Sequence, residues 1–122
     1  MKIKKIPGEF SVCKVKDLSE VHFQSEFCFV GKTDEEISLV CLTDQAPQNT
    51  LCQENGWRAF RIQGVLDFSL IGILSRITTL LAENHIGVFA LSTYQTDYVL
   101  TKAQHFAKAM EVLSQAGYEI LT

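Results

Sequence analysis

Six apolar residues between positions 70 and 81 constrain this chain more than anything else in it. Leu70, Ile73, Leu74, Ile77, Leu80 and Leu81 recur at spacings of three and four, which on a helix form one wide apolar stripe. An amphipathic helix is therefore expected from Ser69 to about Asn84. The flanking segments alternate with the period of a strand. In "WRAFRIQG" (57–64) Phe60 and Ile62 share one face, with charge opposite. "IGVFALST" (86–93) is nearly continuous in apolar residues and reads as an interior strand. "YQTD" makes a turn, and "YVLTK" (98–102) returns as the next strand. A second helix is expected over 103–116, with Phe106, Ala109, Met110 and Leu113 facing in and Gly117 at the C′ position. "YEILT" closes as a strand. The order β-α-β-β-α-β is the split βαβ of a ferredoxin-like, α+β fold.

The N-terminal half is less regular. Strands are expected at 10–15, 26–31 and 37–42, with a short helix within 46–55. At an offset of fifty, "FSVCKVKDLS" (10–19) matches "FRIQGVLDFS" (60–69), pairing Asp17 with Asp67 and Ser19 with Ser69. At an offset of sixty, "FVGKTDEEISLV" (29–40) matches "FALSTYQTDYVL" (89–100), pairing Phe29 with Phe89 and Thr33 with Thr93. The change of offset implies that the first copy lost about ten residues where a long helix should be. The reading is a tandem duplication with a degenerate first copy: residues 1–56 a reduced half, residues 57–122 a complete domain, the two packed as one body.

Composition removes several functional classes. A length of 122 residues suits one compact domain or two very small ones sharing a core. A net charge of −3 leaves no electrostatic footprint for nucleic acid or an anionic membrane. No apolar run approaches the ~18 residues of a membrane span, and "MKIKKIPGEF" has no apolar stretch behind its basic residues. Cys13, Cys28, Cys41 and Cys52 form no CxxC pair, and the first three lie in strand-like runs. That pattern suits a reduced compartment, so a cytoplasmic location is expected. There is no phosphate loop, HExxH or GxSxG, so no catalytic residue, cofactor or metal is expected. The residual enzymatic reading would be a small Cys-dependent activity using Cys52.

The stretch "LDFSLIGILSRITTLLAENHIGVFALSTYQTDYVLTK" resembles an ACT domain. It is similar above all to the small tandem-ACT proteins related to CASTOR-type amino-acid sensors and to the regulatory ends of aspartate kinases. Its most specific parts are the turn "LDFSLIG" and the hairpin "STYQTDYVL". Ile71 stands where the family commonly has a proline, while the following Gly72 is kept. The resemblance implies an ACT-like βαββαβ unit that pairs with a second copy and binds a small amino acid between them. The ligand-contacting residues it implies are Leu66, Asp67, Phe68, Ser69, Ile71 and Gly72 at the turn. At the hairpin they are Ser92, Thr93, Tyr94, Gln95, Thr96 and Asp97.

Those residues suit that role physically. A helix start exposes N–H donors and a positive dipole end, which a carboxylate can reach where side chains are absent, as at Gly72. Asp67 could receive a ligand ammonium, and the hairpin adds hydroxyl, amide and acidic groups. The plainer reading makes Asp67 or Ser69 an N-cap, and Thr93 and Thr96 ordinary turn residues. Asp97 is the stronger functional candidate, because acids are poor strand formers. The expected protein is a non-catalytic regulator of another protein in trans, a homodimer whose assembly is linked to ligand binding. Its rival keeps the fold as an assembly module without a ligand.

Overall fold

The structure is a computed structural model that describes residues 1–63 and 72–122. The expected site residues Leu66, Asp67, Phe68, Ser69 and Ile71 lie outside the described residues. The elements run β1 (Lys2–Val15), β2 (Cys28–Lys32), β3 (Ile37–Leu42), β4 (Thr50–Gln63), α1 (Ile73–Glu83), β5 (Phe89–Ser92), β6 (Asp97–Lys102), α2 (Ala103–Gln115) and β7 (Glu119–Leu121). They group into two compact units: Met1–Pro7 with Arg58–Thr122, and Gly8–Trp57.

The first unit carries the β-α-β-β-α-β order expected of the C-terminal half. Its core holds Phe60 and Ile62 from β4, Ile77 and Leu81 from α1, and Phe106 and Leu113 from α2, with Val99 and Ile3. Ile77 and Leu81 lie one turn apart on α1 and are fully buried, so the apolar stripe is the buried face. Ile3 enters this core because Lys2–Lys4 pair in parallel with Glu119–Leu121, tying the chain's first residues to its last strand.

Both helices end in the same way. After α2, Gly117 is left-handed (φ 101°). Its N–H donates to the Ser114 carbonyl at 3.1 Å, and the Tyr118 N–H donates to Leu113 at 3.0 Å. This is a Schellman cap with glycine at C′, as the sequence predicts. After α1, His85 takes that position with φ 61°. The His85 N–H reaches Ala82 at 3.0 Å and the Ile86 N–H reaches Leu81 at 2.9 Å, which also anchors the buried Ile86.

The second unit is built on antiparallel pairs. β2 lies against β3 with Cys28 opposite Cys41 and Lys32 opposite Ile37. β3 lies against β1 from Phe10 opposite Leu42 to Lys14 opposite Ser38. One small core gathers Cys13, Val15, Leu39 and Cys41, with Cys28 and Val21 packed on it. Phe10 meets Phe27 edge-on at 6.0 Å between ring centroids. Ser11, fully buried, donates its hydroxyl to Asn55 Oδ1 at 2.6 Å and lies 2.9 Å from the Thr43 hydroxyl.

Three local expectations change. No helix forms within 46–55: a 3-10 turn covers Thr43–Gln45, and a strand runs from Thr50. Asn55 and Gly56 are poor helix formers, and the segment follows a strand ladder instead. The apolar run at 86–93 is not an interior strand. Only Phe89–Ser92 is extended, and among the described residues it lies at the edge of the strand order with β6 its neighbour. Its apolar excess comes from Ile86, buried below α1, and Val88, which is exposed. Finally, α1 begins at Ile73, so Gly72 is not inside its first turn but at its N-cap.

Candidate functional site

The two halves of the expected site are the start of α1 and the β5–β6 hairpin. Of the first, Gly72 is described. It is exposed and left-handed (φ 78°, ψ 13°), its carbonyl accepts the Arg76 N–H at 2.9 Å, and among the described residues no side chain caps the helix. A Cβ added there would meet nothing within 4 Å. The position is therefore explained by backbone conformation, since L-residues resist positive φ. Crowding does not explain it.

Ser92, Thr93, Tyr94, Gln95, Thr96 and Asp97 fall together at the tip of the hairpin. Ser92 stands opposite Asp97 in the ladder, and its hydroxyl donates to Asp97 Oδ1 at 2.5 Å. The Thr93 N–H donates to the Thr96 carbonyl at 2.8 Å. The Thr93 hydroxyl donates to the same carbonyl at 3.1 Å. Thr96 turns its own hydroxyl to the Ile62 carbonyl at 2.6 Å. Much of the hairpin's hydroxyl and carboxylate chemistry is thus spent on closing the turn. Tyr94 is 86% exposed.

A cleft of about 260 Å³ opens beside this turn, lined by Arg61, Ile62, Gln63, Thr93, Gln95, Thr96 and Tyr98. Phe60 and Ile62 point into the core beneath α1 and α2. Arg61 and Gln63 alternate with them and therefore occupy the other face of β4. Arg61 is held in place by two hydrogen bonds: Nε donates to Gln63 Oε1 at 2.9 Å, and Nη1 to the Tyr98 hydroxyl at 3.2 Å. Its guanidinium carbon lies 6.0 Å from the Tyr98 ring centroid. Sequence reasoning missed Arg61, Gln63 and Tyr98. The available signal was a lone arginine between two core residues, which by itself reads as a solvated strand face.

In the second unit, Asp17 and Ser19, which the sequence pairs with Asp67 and Ser69, are described. Asp17 Oδ1 accepts the Ser19 N–H at 2.9 Å, the Ser19 hydroxyl at 2.5 Å and the Asn49 amide at 3.1 Å. The Ser19 bonds hold this carboxyl below its ordinary range. The β2–β3 hairpin repeats β5–β6 in detail. Phe29 opposite Val40 corresponds to Phe89 opposite Leu100, and Lys32 opposite Ile37 to Ser92 opposite Asp97. Thr33 also closes its turn on Glu36 at 2.9 Å, as Thr93 does on Thr96.

Among the described residues, no three histidine, cysteine or acidic side chains gather to hold a metal ion, and no helix is long and apolar enough to cross a membrane.

An ACT domain family model matches residues 53–115. No curated protein matches the chain. Among solved structures, protein Atu0741 from Agobacterium tumefaciens is similar at 29% identity and a TM-score of 0.87, over 98% of this chain and 91% of that one. The regulatory subunit of aspartate kinase from Thermus thermophilus shares the fold at 10% identity and a TM-score of 0.69, over 96% and 97%. Clostridium acetobutylicum aspartate kinase does so at 17% and 0.66, over 93% of this chain and 33% of that enzyme. The fold, the hairpin and the match over more than half its length agree: the chain belongs to the ACT domain family.

Proposed function

We propose that the protein is a non-catalytic regulator that binds a small amino acid between ferredoxin-like ACT units and acts on another protein in trans through ligand-linked assembly. Family membership carries this reading, and the likeness to an aspartate kinase regulatory subunit supports it. The proposed contacts are Leu66, Asp67, Phe68, Ser69, Ile71 and Gly72 before α1, with Ser92, Thr93, Tyr94, Gln95, Thr96 and Asp97 at the hairpin. A homodimer completes the site. The tandem origin of residues 1–56 and 57–122 is supported by the register of the two hairpins, which agrees pair for pair at an offset of sixty.

A second reading is favoured by one observation. Ser92, Thr93, Thr96 and Asp97 already bond to one another or to the backbone, as they would in an assembly module that has no ligand. A thermal-shift screen of dialysed protein against the twenty amino acids, with light scattering on the same samples, separates the two. Stabilisation by one or a few amino acids together with a change in mass supports the regulator. A dimer unmoved by all twenty supports the module.

A further inference from the structure

We propose that the cleft between β4 and the β5–β6 hairpin is a binding site for a small monocarboxylate, with the Arg61 guanidinium as its anchor. This goes beyond the amino-acid reading, which places the carboxylate on the N–H groups at the start of α1. The first support is charge. Arg61 is the cleft's cation, and the other described lining residues, Ile62, Gln63, Thr93, Gln95, Thr96 and Tyr98, include no acid to neutralise it. The second is preorganisation. The bonds to Gln63 Oε1 and the Tyr98 hydroxyl fix the plane of the guanidinium while using two of its five N–H donors. A fork held in plane loses little freedom when it takes a carboxylate through two parallel bonds. The third is size: about 260 Å³ lies below the ~300–1,000 Å³ of drug-sized sites and suits a small metabolite.

The remaining groups narrow the class. Gln63 and Gln95 amides and the Thr93 and Thr96 hydroxyls are neutral partners for a ligand's polar substituents. Among the described lining residues, one cation with neutral groups around it balances a single negative charge. A phosphate dianion would call for further cations or a run of backbone N–H groups. Two sources share the required chemistry: the α-carboxylate of an amino acid, and a simple organic acid.

The test follows the Arg61 Nε–H signal by NMR during titration with alanine, propionate, lactate, alaninamide and inorganic phosphate. Saturable shifts of Arg61 and of the Gln95 and Thr96 amides are expected with at least one carboxylate probe and none with alaninamide. Arg61→Gln should weaken that response at least tenfold. Arg61→Lys should retain part of it, and Tyr98→Phe should weaken it a few-fold. Response to alanine alone identifies an amino-acid ligand, and response to propionate or lactate alone an organic acid; both support the cleft. The second result makes the cleft a site separate from the amino-acid site at the start of α1. Conversely, an amino acid that perturbs Gly72 but leaves Arg61 unmoved sinks the cleft while the amino-acid reading stands. Phosphate binding as tightly as the carboxylates, or undiminished binding in Arg61→Gln, also overturns the proposal.

Discussion

Thr96 fastens the β5–β6 hairpin to β4: its hydroxyl donates to the Ile62 carbonyl oxygen at 2.6 Å. Ile62 is fully buried and sits between Arg61 and Gln63. This side-chain bond adds to the pairing of β4 with β6 in holding the turn beside the strand that carries the cleft's cation.

Replacing Thr96 with valine keeps the shape and removes the donor. The loss of one net hydrogen bond should lower stability by about 0.5–1.5 kcal/mol. Urea denaturation measures it, and an unchanged midpoint would show that the bond contributes nothing.

Gly72→Ala reads differently from the structure than from the sequence. Within a helix the change would stabilise by about 0.4–1 kcal/mol. At φ 78° the new methyl meets the backbone's own strain, so a loss of about 1–2 kcal/mol is expected. Gly72→Asn should lose less, since asparagine tolerates this region. A more stable Gly72→Ala protein would contradict the left-handed N-cap.

His85 presents the inverse case. It holds the left-handed C′ position that Gly117 fills after α2. His85→Gly relieves backbone strain of roughly 1–2 kcal/mol against an unfolded-state entropy term of about 0.4–1 kcal/mol. The variant should be as stable as the parent or up to about 1.6 kcal/mol more so, read again by urea midpoint.

The second unit's thiols predict a pH dependence. Burial pushes Cys41 up to about 12, with the neighbouring Cys13 and Cys28 thiols adding to it, and burial also raises Cys13 and Cys28. The fold holds these groups protonated, whereas an unfolded chain releases them near the ordinary value of 9.0. Between those values the native state binds more protons. Its stability is therefore complete below about pH 9 and falls as pH rises toward 12. Cys41→Ala should show a smaller loss than the parent between about pH 8 and about pH 10.5. In a thiol-labelling time course near neutral pH, exposed Cys52 should react first and buried Cys13 and Cys41 only on unfolding.

Periodicity made the strongest elements legible. The stripe through Ile77 and Leu81, the inward set Phe106, Ala109, Met110 and Leu113, and the glycine at 117 each follow from local rules that the packing reinforces. Other features depend on contacts distant in sequence. The pairing of Lys2–Lys4 with Glu119–Leu121 joins segments over a hundred residues apart and leaves no local signal. Residues 50–55 become strand through ladder pairing, where a short helix within 46–55 was expected. At the site, the hairpin tip was legible from its turn residues. The Arg61 cleft was not, because its character comes from Gln63, Tyr98 and the hairpin converging on one side chain.

The central claim is that this ACT protein binds a small amino acid, and isothermal titration of dialysed protein with each of the twenty tests it most directly. The account predicts saturable heat for at least one, with polar or basic amino acids ahead of aromatic ones. Asp97→Asn, which keeps an acceptor for the Ser92 hydroxyl, should fold normally. It should bind that ligand more weakly by about 1.5–3 kcal/mol, the range of a hydrogen bond to a charged group. No heat from any amino acid, with an intact dimer, would contradict the claim and leave the assembly module in its place.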